Sequence, residues 1–155
     1  VRVGKDGRLC RCGRHGCLET RVASHPIARH LRQVCRPETA PLLWAAVDGR
    51  PEKITVHNLA ELVSLDEPAL WEALDADIGL LAEVVGGMLT MLTPDHLILY
   101  GAMFKLPHFR EKFLAACKRY DPAYDEDYIR VSELDEKLEY IGPLAVVTNE
   151  LFYQG

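Results

Sequence analysis

The sequence predicts an α/β fold, and its later half carries the prediction. Apolar residues recur at alternating spacings of three and four from Trp71 to Leu92, the period of a long helix. Two short apolar runs, at His96–Tyr100 and Tyr128–Val131, have the length of buried strands. An amphipathic stretch separates these runs and another follows them. Helix, strand, helix, strand, helix implies parallel strands joined by right-handed crossovers.

Along the chain, Val1–Val3 alternates apolar and polar residues and reads as the end of a strand, and Lys5-Asp6-Gly7 as a turn. Residues 9–17 are too rich in Gly, Cys and Arg for regular structure. Glu19–Val34 places Val22, Ile27, Leu31 and Val34 at helical spacing, with an interruption expected near Pro26, Ser24 as cap of the second piece and Pro26 in its first turn. Pro37, Pro41, Gly49 and Pro51 make 36–53 mostly loop, with a helical turn at Leu42–Ala46. Thr55 reads as the N-cap of a helix from Val56 to about Ser64. Asp66-Glu67-Pro68 then opens the long helix, which Thr93-Pro94 ends. Leu70, Val84 and Leu89 widen its stripe, so it reads as a core helix, a dimer seam being the other reading. Gly86-Gly87 inside it costs about 1 kcal/mol per glycine relative to alanine. Close packing would offset that cost; approach to a nucleotide is the alternative. Phe109–Tyr120 is the next helix, through Phe109, Phe113, Leu114 and Cys117, and Ile141–Phe152 the last.

Two strands and a stub leave both sheet edges open and bury little. Further strands are expected from a preceding segment, from a partner chain, or from strands the pattern does not reveal. A homo-oligomer is therefore expected. Residues 1–155 read as one domain fragment: a metal loop at 9–19, the long helix at about 68–92 and an α/β part from about 93 onward.

Composition narrows the function classes. Hydrophobic residues are 48% and charged residues 26%, as in globular proteins. With 23 acidic against 18 basic residues the net charge is −5, which argues against a nucleic-acid surface on this chain. The densest basic stretch, Arg29, His30, Arg32 and Arg36, reads as one solvated helix face. No run of 18 apolar residues is present, so no membrane-spanning helix is expected. The start, VRVGKDGRLC, lacks the apolar core of a signal peptide. Three of the five cysteines fall within eight residues, and reduced thiolates in a cytoplasmic protein are the expected state.

Those three, Cys10, Cys12 and Cys17, have C-x-C-x4-C spacing, with Gly13 and Gly16 supplying the tight turns that aim sulfurs inward. Zinc suits such a set, being tetrahedral and tolerant of thiolate. Arg8, Arg11 and Arg14 flank the loop and would favour the thiolate forms. A chance cluster of reduced cysteines is the plainer alternative. His25, His30, His57, His96 and His108 share no ligand spacing and read as surface or capping residues, and Cys35 and Cys117 as core thiols.

CRCGRHGCLE resembles the C-x-C-G-x-x-G-C-x-E signature of the ROK family, which groups sugar-responsive repressors and sugar kinases. TRVASHPI, TPDHLILYG and EYIGPLAVV resemble later segments of that family, so the likeness spans nearly the whole chain. The resemblance implies the C-terminal portion of an actin-like (ribonuclease H-like) sugar kinase fold. It implies zinc on Cys10, Cys12 and Cys17, a sugar hydroxyl on Glu19, and a nucleotide-side turn at Gly101. The family's zinc histidine belongs to an E-x-G-H stretch that would fall immediately before Val1. Water, a partner's histidine, that upstream residue, or His15 within the loop could complete the set. The family kinases' D-x-G-x-T phosphate loop and catalytic Asp are not in this sequence, so it reads as part of a longer protein and as inactive alone.

Tyr100-Gly101-Ala102 has a single glycine where a pair would let backbone approach phosphates. The expectation is therefore a sugar-sensing transcriptional regulator whose DNA-binding part lies outside this chain. The alternative is the C-terminal half of a sugar kinase using ATP. A third reading, a stand-alone zinc interaction module, lacks a second pair of ligands and a basic surface.

Overall fold

Proline sets half of the helix starts among the described residues. The computed structural model describes residues 1–133; the expected helix at 141–152 and the segment EYIGPLAVV lie outside the described residues. Helices α3 (Pro41–Ala46), α5 (Pro68–Leu92) and α6 (Pro107–Cys117) each begin on a proline. So does the short 3-10 turn Pro51–Lys53. Proline at the first helical position gives up an N–H that had no helical partner, and its φ is already helical. The remaining helices are α1 (Glu19–Val22), α2 (Ser24–Val34) and α4 (Leu59–Val63).

Strands β1 (Leu97–Leu99) and β2 (Ile129–Val131) pair in parallel, Leu97 opposite Ile129 and Leu99 opposite Val131. A 3-10 turn (Ala102–Lys105) and α6 make the connection between them. The chain is thus α/β, with a two-stranded parallel sheet among the described residues. Helix α5 runs along the centre and packs against α2 and α6. Leu31, Leu43, Leu70, Leu74, Phe113 and Ile129 are fully buried around it. Among the described residues no helix is long and apolar enough to cross a membrane.

The long helix ends as expected: Thr93 adopts a left-handed conformation and its N–H bonds to Leu89 O at 2.8 Å before Pro94. Glu67 does more than precede it. Its buried carboxylate accepts the Leu42 N–H at 2.8 Å, capping α3 from the start of α5. The stripe is core only in part. Trp71, Leu74 and Ile78 are buried, whereas Met88 and Leu92 are 48% and 68% exposed, because the helix runs past the core it covers. Gly86 is the packed glycine: a Cβ there would lie 2.9 Å from Tyr120 Cγ, while at Gly87 it would meet nothing within 4 Å.

Three expectations need correction. The helical break falls at Ala23 (ψ 161°), one residue before the expected cap, and Ser24 is the first helical residue rather than the cap. Pro26 lies in the first turn, as expected, where backbone N–H groups lack helical partners. Thr55 does not cap α4; Asn58 precedes that helix, and its side-chain oxygen takes the N–H of Thr55 at 2.8 Å in a turn. Strand β1 is covered on one side only. Alternation buries Leu99 and leaves Ile98 58% exposed.

Candidate functional site

The loop before α1 is folded by its own backbone. Arg2 bridges Cys17 and Leu9 bridges His15, both antiparallel. Val3 N–H bonds to Gly16 O at 2.8 Å and Leu18 N–H to Val1 O at 2.9 Å, laying the first residues beside Cys17. Inside the loop, Cys10 N–H bonds to Arg14 O at 2.8 Å and Gly13 N–H to Cys10 O at 2.9 Å. Gly16 sits at φ +70°, and a Cβ there would lie 2.3 Å from Gly4 O, so no larger residue fits. Gly13, at φ +79°, has open space around it.

This backbone brings the Sγ atoms of Cys10, Cys12 and Cys17 within 4.8 Å of one another. Cys12 and Cys17 sulfurs are 3.6 Å apart and all five cysteines are free thiols. Thiolates around a tetrahedral zinc, at about 2.3 Å from the ion, stand about 3.8 Å apart. The three sulfurs therefore fit such an ion. Cys10 and Cys17 are buried and Cys12 is exposed. His15 is not part of the cluster: its Nδ1 lies 2.8 Å from Gly7 O.

The flanking arginines divide their roles. Arg14 donates from Nε to Cys12 Sγ at 3.4 Å, and this contact, with help from the Arg14 backbone, lowers the Cys12 thiol to about 6. The Cys17 thiol is pushed up to about 11, first by its hydrogen bond with Cys12 and then by burial. Arg8 and Arg11 instead line a cleft.

That cleft, about 1010 Å³, opens directly beside the loop. Its walls include Cys10, Glu19 and the first turn of α2 from Ser24 to Pro26. Glu19 is the first residue of α1, and Cys10 Sγ donates to its Oε2 at 3.6 Å. Thr20 Oγ1 bonds to Cys17 O at 2.7 Å, tying the start of α1 back to the loop. The carboxylate and the sulfur cluster are thus neighbours in space as in sequence. A second cavity of about 560 Å³ shares Ala23, Ser24 and Val56 with the cleft and has Gly101 in its wall. Gly101 has φ +127°, and a Cβ on it would meet nothing within 4 Å, so its backbone is open to approach.

One group escapes the sequence patterns. Asp77 of α5 is buried, and Arg21 of α1 reaches its Oδ1 with Nε at 2.8 Å and Nη2 at 2.6 Å. His30 Nδ1 of α2 stands 2.9 Å from Oδ2, an ion-pair contact without hydrogen-bond geometry. The two helices that follow the loop are therefore anchored to the central helix through one carboxylate. A lone acid beside Ile78 on an apolar stripe is the signal that points to such a buried partner.

The sequence model of the ROK family matches residues 1–149. A glucokinase of Thermotoga maritima is 27% identical over 103 residues, covering 66% of this chain and 32% of that protein. A glucokinase of Streptomyces coelicolor is 34% identical over 62 residues, 39% of this chain and 20% of its own length. Among solved structures, the ROK family glucokinase of Streptomyces griseus, in complex with glucose and AMPPNP, superposes with a TM-score of 0.68 at 20% identity. That superposition covers 88% of this chain and 46% of that one. A ROK family transcriptional regulator, a homologue of the E. coli MLC protein, gives a TM-score of 0.62 at 17% identity over 84% of this chain and 32% of that one. The chain spans about a third or less of the glucokinases it matches in sequence.

Proposed function

The chain belongs to the ROK family, and on that premise we propose that it is the sugar-binding portion of a sugar-sensing transcriptional regulator, with Glu19 as the sugar ligand. The observation that carries the reading is the contact between Cys10 Sγ and Glu19 Oε2 at the wall of the cleft. A carboxylate there can accept two hydrogen bonds from vicinal hydroxyls, a charge-assisted contact that fixes the orientation of a sugar. Cys10, Cys12 and Cys17 would hold one zinc ion, which would supply rigidity to the loop rather than reaction chemistry. The pairing of Arg2 with Cys17 supports a histidine ahead of Val1 in a longer chain as the fourth ligand, since that residue would enter beside Cys17.

The regulator reading is supported by Gly101, whose neighbour Ala102 starts a 3-10 turn where a second glycine would widen the approach for phosphates. A second reading is favoured by the glucokinase relatives: the C-terminal half of a sugar kinase. ATP phosphates would then approach the Gly101 turn, and a segment outside this chain would supply the catalytic base. DNA, in the regulator, would likewise meet a segment outside this chain. The exposed Met88, Met91, Leu92 and Ile98 support an oligomer or a further part of the protein covering that end of α5, which sizing of the purified chain reads directly.

Calorimetric titration with glucose tests the site: Glu19→Gln should weaken binding at least tenfold with the fold intact, and unchanged affinity overturns the assignment. Metal analysis of reduced protein should find one zinc per chain; none overturns the loop assignment. ATP-dependent phosphorylation of glucose by a full-length protein containing this chain would replace the regulator by the kinase.

A further inference from the structure

Of the five cysteines, Cys12 alone is exposed; Cys10, Cys17, Cys35 and Cys117 are buried. The Cys12 sulfur lies 3.6 Å from Cys17 Sγ. A disulfide bond is about 2.0 Å long, so the pair needs a further approach of about 1.5 Å. The backbone assigns that motion to one partner. Cys17 is pinned: it bridges Arg2, its carbonyl takes the Thr20 hydroxyl at 2.7 Å, and the carbonyl of its neighbour Gly16 takes the Val3 N–H at 2.8 Å. Cys12 is followed by Gly13, at φ +79° with open space around it. The exposed sulfur can therefore swing towards Cys17 without disturbing α1. Cys10 does not compete. It is too close to Cys12 in sequence for an easy bridge, and its own sulfur is engaged with Glu19 Oε2 at 3.6 Å. Arg14 Nε, 3.4 Å from Cys12 Sγ, gives the exposed sulfur the cationic neighbour that reactive cysteines share.

Resting on the reading that these sulfurs hold zinc, we infer that Cys12 and Cys17 are a site of oxidation by hydroperoxides, and that the disulfide they form takes the place of the metal. Cys12 Sγ attacks one oxygen of hydrogen peroxide, the O–O bond breaks and water leaves. Cys17 Sγ then attacks the sulfenic acid on Cys12, the S–S bond forms and a second water leaves. Two sulfurs lose two electrons in all and one peroxide is reduced to two waters. The two protons come from the thiols in a metal-free loop, and from solvent where the sulfurs start as zinc thiolates. With two of the three sulfurs joined, Cys10 is the one cysteine of the loop left to hold an ion, too few for zinc. The wall of the cleft that carries Cys10 and Glu19 then has no metal brace. Reduction by a dithiol returns both thiols, so the exchange of metal for disulfide is reversible.

The test treats the purified chain, loaded with zinc, with hydrogen peroxide and follows three readouts: metal released to a chromophoric chelator, thiols remaining, and disulfides mapped by peptide mass spectrometry without reduction. One zinc ion should leave for each disulfide formed, and the disulfide should join Cys12 to Cys17. Cys35 and Cys117 should remain thiols. Dithiothreitol followed by zinc should restore the starting state. Cys12→Ser, treated in its metal-free form, should lose the disulfide and leave Cys17 reduced. Zinc retained with both thiols intact overturns the inference. So does a bridge to Cys10 in place of the Cys12–Cys17 bond, or Cys12 carried to the sulfinic acid with Cys17 still a thiol. Reduced protein that takes up no zinc overturns the metal assignment, and with it the exchange. The peptide map of that metal-free protein still decides the pair: a Cys12–Cys17 bond upholds it as a site of oxidation, and its absence overturns that as well.

Discussion

Asp77→Asn is the substitution that probes how the site is held. The side chain is 4% exposed and takes a hydrogen bond from Arg21 Nε and an ion-pair contact from its Nη2 on one oxygen, with His30 against the other. The amide keeps the shape but removes the charge. Charge-assisted bonds of this kind contribute about 1.5–3 kcal/mol net, and neutral ones about half as much. Losing one partner of a fully buried pair costs about 3–5 kcal/mol. Arg21, however, is 46% exposed, so water rehydrates much of the charge left behind. The expected loss is therefore about 1–2 kcal/mol, or roughly 2–8 °C in Tm for a chain of this length. Urea denaturation gives the value directly, with the midpoint moving and the slope constant. Arg21→Gln should cost a similar amount, and the double variant should fall short of the sum by about 1 kcal/mol. A midpoint shift within error for Asp77→Asn, or strict additivity, would refute the anchoring role.

Other expectations follow from the same geometry. Gly16→Ala combines a left-handed conformation with a Cβ 2.3 Å from Gly4 O, and should cost about 2–4 kcal/mol through strain and lost pairing with Val3. Gly13→Ala carries the strain alone, about 1–2 kcal/mol; equal losses in urea melts would refute the distinction. Gly87→Ala adds a methyl to open space inside α5 and should stabilise by up to about 1 kcal/mol, read as a raised urea midpoint. In metal-free protein, Cys12 should alkylate with a rate that rises through about pH 6 and levels off above it, because its lowered pKa makes the thiolate the main form there. Cys17, pushed up to about 11, should stay unreactive at neutral pH. Arg14→Ala should move the Cys12 midpoint up towards the ordinary thiol value near 8.5, and an unmoved midpoint would show that Arg14 is not the cause.

Local signals were read well and distant ones were not. The bounds of α5 follow from Pro68 and Thr93-Pro94, and the structure places the helix between them. The sulfur cluster follows from cysteine and glycine spacing, because the contacts that form it all lie within the first twenty residues. Serine can cap a helix or open one, so the pattern sets the break at Ala23 only to within a residue. Thr55 and Asn58 are both good caps, and only the turn they make together decides between them. The exposure of Met88 and Ile98 depends on where the core stops, which no local pattern records. Arg8 and Arg11 sit beside the cysteines in sequence, yet they face the cleft rather than the sulfurs, and Arg29 joins them from another helix.

The loop and the anchor differ in how far apart their members lie along the chain. Cys10 and Glu19 are nine residues apart, whereas Arg21 and Asp77 are separated by 56. Bringing ends together costs more entropy as the intervening chain lengthens, and short closures are completed in well under a microsecond. The loop can therefore assemble its sulfurs early and by itself during folding. The helix that carries Glu19 reaches its final orientation only when α5 has packed. Order of assembly, and not only final position, is written into the spacing of these few residues.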